Sequence, residues 1–370
     1  MQLGMFAMPL HPPDRLLADT LDEDRQAVLL ADRLGFSEAW FGEHFSSTAE
    51  PIASPLAFFS SLIHQTRQIN FATGVLNLPQ SHPAMVAAQV AQFDHLSRGR
   101  YLLGIGPGGL GSDFELLGIG DKDTRSEMML ESIEAMQQIW AQDAPYSIPG
   151  KYWNVNITDF RFDGLGIGEM LKPFQKPHPQ ICLSIITPYS PSAKMAGTRG
   201  WHPVSANFIQ ARYIRSHWEA YAEGVESIGE RPDPANWRIA RSILVTDSDS
   251  QADEHLSNPD CGLHFYFRYF RRMYLNRGSM EMLKPDVDMP DEEATEEVVA
   301  RSMVTWGSPS KVLDELVDLH SQWGDFGTLL MVGHDWDNIE LWRRSMTLLA
   351  NEVMPRFRQH VEATPAAASM

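Results

Sequence analysis

Short apolar runs of β character alternate with amphipathic helical stretches along almost the whole chain, and this alternation constrains the fold more than any other feature of the sequence. Parallel strands need long crossover connections, and a helix is the usual one. Strands are predicted at residues 3–8, 38–41, 69–76, 101–105, 181–186, 200–204, 237–245 and 328–332. Helices are predicted at 22–34, 55–65, from Pro83 onward, at 125–140, from Pro191 to Thr198, and at 209–224, 309–322 and 338–351. Eight βα units running to the end of the chain place it in the α/β class and favour a (β/α)8 TIM barrel with insertions. An open doubly wound sheet is the alternative.

Two stretches interrupt the repeat. Residues 144–178 carry Pro145, Pro149, Gly150, Pro173 and Pro177 and read as a turn-rich excursion containing a hairpin. Residues 262–298 open with LHFYFRYFRRMY, dense in aromatics and arginines, which suits either a lid over an apolar pocket or a helix packed on the barrel or a partner subunit. The expected organisation is one domain over 1–360, with these two insertions, and a flexible C-terminal tail over 361–370. An apolar fraction of 43%, with 10 Trp and 18 Met, supplies a core that needs no crosslink. Cys182 and Cys261 belong to no CxxC pair, which disfavours a disulfide framework or a thiolate zinc site and suits a reducing, cytoplasmic setting. No apolar run reaches membrane-spanning length, and the N-terminus lacks the pattern of a secretory signal. A net charge of −18 opposes nucleic-acid binding, so a small-molecule ligand is expected. Part of that charge sits between Asp286 and Glu297, read as a solvated loop.

Parallel barrels carry their chemistry where strands end, so polar residues directly after an apolar run are the informative ones. Glu43 and His44 meet this condition after the second strand. Gly104-Ile105-Gly106-Pro107-Gly108-Gly109 matches GxGxxG, but a dinucleotide turn needs its helix at once, whereas Pro107 and Gly111-Ser112-Asp113 are read as delaying one. Bare glycine backbone at a strand end suits instead a flat ring lying close to the main chain. Arg125 follows a polar loop at a helix start and is suited either to bidentate capture of a phosphate or to a surface pair with Asp121 or Asp123. Thr124 with Glu127 reads as a capping box for that helix. Tyr189-Ser190-Pro191-Ser192 reads as a helix start that is either simply capped or holds an anion. Glu43, His44 and His82 would be the ligands of a metal-dependent hydrolase, but no HxH or HExxH spacing accompanies them, and no metal is expected.

These pieces together resemble the bacterial luciferase-like, flavin-dependent monooxygenases. The resemblance is carried by Gly42-Glu43-His44, Thr73, Leu78-Pro79, His82-Pro83, Ser97-Arg98-Gly99-Arg100, Gly104-Ile105 and Asp113-Phe114, and later by Arg199-Gly200 and Trp306-Gly307-Ser308-Pro309. It implies a barrel that binds reduced FMN across its C-terminal strand ends and uses O2 to form a C4a-hydroperoxide, which oxygenates a small hydrophobic substrate such as a terpene, cyclic ketone or aldehyde. His44 matches the family's catalytic histidine and would steer protons, with Glu43 or Asp113 orienting it. Arg125 would hold the flavin phosphate together with Tyr189, Ser190 and Ser192. The family's non-proline cis peptide beside the flavin would fall at Gly74–Val75.

Gly106 stands where luciferases carry a reactive cysteine, and Phe45 follows His44, so light emission and long-chain aldehyde use are not expected. The resemblance also implies a separate NAD(P)H:flavin reductase and a homodimer with contacts near 55–65 and Pro83–Ser97. Two alternatives share the fold: a deazaflavin F420-dependent oxidoreductase, and a flavin-binding relative without turnover.

Overall fold

The computed structural model describes residues 1–8, 10–162 and 164–363. In chain order the strands are β1 (Gln2–Ala7), β2 (Glu38–Phe41), β3 (Asn70–Thr73), β4 (Leu76–Asn77), β5 (Tyr101–Gly106), β6 (Tyr146–Ile148), β7 (Val155–Ile157), β8 (Ile181–Ile185), β9 (His202–Ser205), β10 (Arg238–Val245), β11 (Val304–Gly307) and β12 (Thr328–Val332). The eight strands expected from the sequence correspond to β1, β2, β3, β5, β8, β9, β10 and β12. Their helical connections and order of pairing make the fold class a (β/α)8 barrel with insertions.

The chain divides into two compact units. The first contains residues 1–39, 48–51 and 183–370. In it β9, β10, β12 and β1 pair in that order, and β1 goes on to pair with β2. The long β10 uses Arg238–Arg241 against Thr328–Met331 of β12, and Ser242–Val245 against Val304–Gly307 of β11. Strand β11 was not expected: its four residues lie between a helix ending at Met303 and the Ser308 cap of the next helix. Arg238 grips Glu38 through two hydrogen bonds of 2.8 Å inside this unit. A second charged group ties the segment after β1 to the loop after β12. His11 Nδ1 lies 2.6 Å from Asp335, and its Nε2 lies 3.3 Å from Asp24. Arg15 binds Glu23 at 2.8 Å and also reaches Asp335.

The second unit contains residues 40–47 and 52–182, with β3 and β5 paired in parallel and β4 continuing the pairing along β5. Its core is a chain of rings: Phe41 meets Phe59, Phe59 meets Phe71, and Phe71 meets Phe93, which meets Tyr101 edge-on at 5.1 Å.

The excursion at 144–178 contains the expected hairpin, β6 against β7, antiparallel. Of the two readings of the stretch 262–298, its opening follows the helical one: a 16-residue helix, Gly262–Arg277, buries Leu263, Tyr266, Phe267, Phe270 and Tyr274. The tail was expected from 361, but residues 361–363 close the helix Met354–Ala363, and 364–370 lie outside the described residues. Cys182 and Cys261 are buried free thiols. Among the described residues no helix is long and apolar enough to cross a membrane.

Candidate active site

Strand β2 ends at Phe41, and the chain turns at once through Gly42, Glu43 and His44. The turn is fixed by backbone: His44 N–H donates to Ile52 O at 3.1 Å. The His44 ring meets Asp113, whose Oδ2 lies 3.0 Å from Nδ1. Asp113 is fully buried and also accepts the N–H of Ser46 at 2.9 Å, that of Phe45 at 3.2 Å, and the Ser46 hydroxyl. Burial alone would raise this carboxyl, but the bonds from Ser46 and His44 outweigh it and hold Asp113 below the usual carboxylate range. An ionised Asp113 accepts from Nδ1–H, which fixes the neutral ring's tautomer and makes Nε2 the basic nitrogen.

Asp113 is positioned by a helix that the sequence reading had delayed. The helix Gly111–Leu117 starts five residues after β5 and carries Asp113 in its first turn. Pro107 to Leu110 form the entire interruption, because the polar run that looked like loop provides the N-terminal turn, where a carboxylate is favoured.

Glu43 does not touch the His44–Asp113 pair. Its Oε1 accepts the N–H of Asn77 at 2.7 Å, and the Asn77 amide returns a bond to Glu43 O at 3.0 Å. Burial pushes the Glu43 carboxyl up to about 7, against the pull of the Asn77 bond and with help from the Asp113 charge. Asn77 stands just past the Gly74–Val75 peptide, which is cis, as the resemblance implied. Gly74 N–H donates to Phe41 O at 2.7 Å, and Thr73 Oγ1 donates to Gly104 O at 2.8 Å, so the ends of β2, β3 and β5 are mutually bonded. At Gly106 a Cβ would lie 2.7 Å from Val75 Cγ2, so the Val75 side chain fills the space that a side chain at 106 would need.

Arg125 lies in the helix Lys122–Ala141. The capping-box reading is corrected: the cap is Asp121, whose side chain accepts Thr124 N–H at 3.0 Å. The Arg125 guanidinium stacks over Phe114 at 3.6 Å and donates to Gly120 O at 2.6 Å, which aims a half-buried cation from the helix's first turn. His44, Glu43, Asp113, Gly74, Val75, Gly106 and Arg125 thus all belong to the second unit.

Tyr189, Ser190 and Ser192 belong to the first unit. Ser190 is the N-cap residue of the eight-residue helix Pro191–Thr198, but its side chain makes no capping bond. Tyr189 has left-handed backbone (φ 52°), is exposed, and donates its N–H to Ser216 Oγ at 3.0 Å. Ser192 is exposed on the first turn.

The sequence reading missed Ser46 and Asn77, which hold Asp113 and Glu43, and named Phe114, which holds Arg125, only as a landmark of the resemblance. Asn77 carried a usable signal, since it is a polar residue directly after the apolar run of a strand. Ser46 carried none beyond proximity. In the first unit, His11, Glu23 and Asp335 place ligand atoms within 4.8 Å of one another, but Arg15 and His11 already lie against both carboxylates. A shallow concavity lined by Asn156, Ile157, Thr158, Asp159, Phe160 and Gly168 belongs to the hairpin excursion and contains none of the expected site residues.

Known proteins are similar to this chain over most of its length. The luciferase-like monooxygenase family model matches residues 1–325. The 4-hydroxyprotoasukamycin monooxygenase of Streptomyces nodosus subsp. asukaensis is 30% identical, covering 98% of this chain and 94% of its own. The 3,6-diketocamphane 1,6-monooxygenase of Pseudomonas putida is 28% identical, over 96% of this chain and 98% of its own. A solved structure of the oxygenating constituent of 3,6-diketocamphane monooxygenase from the CAM plasmid of Pseudomonas putida, a type II Baeyer-Villiger monooxygenase in complex with FMN, superposes with a TM-score of 0.87 at 27% identity, covering 96% of this chain and 98% of that one. With a family model spanning most of its length and monooxygenase relatives aligned end to end, the chain belongs to the luciferase-like monooxygenases.

Proposed function

We propose that this chain is the oxygenase component of a two-component monooxygenase that uses reduced FMN and O2 to oxygenate a small hydrophobic molecule such as a terpene, cyclic ketone or aldehyde. The observation that carries this reading is the His44–Asp113 pair at the mouth of β2, a buried carboxylate fixing the tautomer of an imidazole at a strand end.

The residues of the second unit suit a flavin. Arg125 supplies a guanidinium held by Phe114 and Gly120, a natural partner for a phosphate. Gly106 and the Gly74–Val75 peptide are proposed to offer main-chain contacts to a flat ring. When bound, the reduced flavin supplies the electrons that activate O2. His44 Nε2 accepts or returns a proton at the reacting oxygen, and Asp113 keeps the ring turned and steadies the imidazolium. Tyr189, Ser190 and Ser192 are proposed as phosphate contacts in their own right, tested separately by substitution.

A separate NAD(P)H:flavin reductase is part of the proposal, supported by the relative described as an oxygenating constituent. The buried free thiols suit a reducing cytoplasm, where we place the enzyme. A homodimer is proposed through the helix Pro83–Ser97, on which Met85 and Leu96 are exposed, and through residues 55–65; sedimentation of the protein tests it.

The deciding experiment supplies the protein with FMN and a flavin reductase and follows O2 uptake and product formation with candidate ketones and terpenes. Coupled uptake and product, lost in His44→Ala, is the expected result. Product formed without O2 from reduced deazaflavin, or product unchanged in His44→Ala, would overturn the reading.

A further inference from the structure

We infer that Asn207, Ser242, Tyr266 and His334 form a receptor for one hydroxyl group of an otherwise apolar ligand. All four belong to the first unit, and none is more than 4% exposed. Asn207 follows β9 by two residues, His334 follows β12 by two, and Ser242 lies in β10 one residue beyond Arg241, which pairs with Met331. Tyr266 comes from the helix Gly262–Arg277. The group therefore gathers at the C-terminal ends of parallel strands, where barrels place their ligands.

The hydrogen-bond inventory defines the ligand. Asn207 Nδ2 donates to Ser242 Oγ at 3.2 Å and to Tyr266 OH at 2.8 Å, and Ser242 Oγ lies 3.0 Å from His334 Nε2. Asn207 Oδ1 and His334 Nδ1 have no partner among the described residues. Leaving a buried polar atom unpaired costs more than making its hydrogen bond gains. Burial lowers His334 to about 3, so its ring is neutral and carries one N–H. If the single Ser242 hydrogen goes to Nε2, that N–H sits on Nδ1; the opposite arrangement would leave the serine hydrogen unspent too. Tyr266 accepts from Asn207, so its own hydrogen is still to be given. With the Asn207 amide turned round, Ser242 and Tyr266 donate to its oxygen, the two Asn207 N–H groups become the unmet donors and His334 Nδ1 the unmet acceptor, so the tally of two donors and one acceptor is the same.

Two donors and one acceptor are thus unanswered. A hydroxyl oxygen, with two lone pairs and one hydrogen, complements all three. A ketone oxygen has no hydrogen for Asn207, and a hydrocarbon answers none. The surroundings are aromatic: Tyr266 stands edge-on to the His334 ring at 4.6 Å, Trp342 lies 5.5 Å from that ring, and Phe208 stacks on Phe270 at 4.8 Å. The rest of the ligand is accordingly apolar. This inference does not depend on the flavin chemistry.

The test is ligand-binding NMR on the full-length protein with cyclohexanol, cyclohexanone and methylcyclohexane, together with the side-chain nitrogen resonances of His334. Cyclohexanol should bind roughly tenfold more tightly than methylcyclohexane, with cyclohexanone between them, and should shift the His334 Nδ1 signal. Asn207→Leu should bring the three affinities together. Tyr266→Phe, which removes only an oxygen, should reduce the preference by about threefold and covers the case in which the leucine variant does not fold. Equal affinities in the unaltered protein, no binding of cyclohexanol, or an unmoved His334 signal would overturn the inference; the last is the outcome if internal water alone satisfies the cluster.

Discussion

Asp113 binds His44 through Nδ1 at 3.0 Å while accepting the backbone N–H groups of the two residues that follow His44. One carboxylate therefore orients the imidazole and closes the turn that presents it, and substitutions separate the two roles. His44→Ala should lower oxygen-dependent product formation by about 10²–10⁴ and leave flavin affinity within a few-fold. Asp113→Ala should lower the rate and also destabilise the fold by about 1–3 kcal/mol, because the N–H groups of Phe45 and Ser46 lose their acceptor. Asp113→Asn keeps one acceptor oxygen, so it should lower the rate with a smaller loss of stability. Product rates alongside urea unfolding measure both, and a stable, fully active Asp113→Ala would remove Asp113 from the site.

Glu43 predicts an effect of opposite sign. Burial holds its proton up to about 7, against an ordinary value of 4.5, so the folded state binds that proton more tightly than the unfolded chain does. Its contribution to stability is thus most favourable below the ordinary value and declines as pH rises towards 7. Glu43→Gln keeps an acceptor for Asn77 N–H and removes the titration. The variant should equal the parent at pH 5 and exceed it by about 1–2 kcal/mol at pH 8, a figure reduced for the group's partial exposure. Urea unfolding at the two pH values checks it, and an equal difference at both would exclude Glu43 as the titrating group.

The repeat of strands and helices was legible because each barrel strand is an apolar run and each helix keeps an apolar stripe. Where local patterns failed, a specific competitor won. The apolar run at 69–76 is one stretch in the sequence but two strands in the structure, β3 and β4, because the chain changes course at Gly74 and Val75. Asp121, not Thr124, caps its helix, since two oxygen-bearing side chains lie within reach and spacing does not choose between them. Glu43 and His44 were visible as polar residues ending a strand. The partners of the site, Ser46 with Asp113 and Asn77 with Glu43, depend on segments 34 to 67 positions apart in the chain, and no local pattern encodes such pairings. The quartet of Asn207, Ser242, Tyr266 and His334 was hidden for the same reason.

Gly104 offers a test of the strand packing beneath the site. A Cβ added there would lie 1.8 Å from Thr73 O and 3.0 Å from the Trp40 ring. The nearer contact is with the Thr73 carbonyl oxygen, a backbone atom, so no side-chain rotation relieves it. Gly104→Ala should cost about 3 kcal/mol or more. Gly109→Ala, where a Cβ meets nothing within 4 Å, should stay within about 0.5 kcal/mol of the parent. Equilibrium unfolding of the two variants provides the comparison, and equal stabilities would mean that β3 and β5 are spaced more widely than described.

His11 should make the protein lose stability in mild alkali. Burial alone would lower its pKa, but hydrogen bonds to Asp24 and Asp335, together with their charges, outweigh burial and raise it to about 9. A histidine whose folded-state pKa is raised contributes stability that is fully present below its ordinary value of 6.5 and is lost as pH rises through about 9. The contribution is about 3 kcal/mol. Asp24 shares the proton balance of the cluster, being raised to about 6 by burial, so the two groups titrate as a unit. His11→Gln should be less stable than the parent at pH 7, and the gap should narrow steadily towards pH 10, because the parent declines while the variant no longer carries this titration. Lysine and tyrosine ionisations common to both proteins cancel in the difference. If the unfolding midpoints of parent and variant ran parallel from pH 7 to pH 10, the cation held between β1 and the loop after β12 would not be His11.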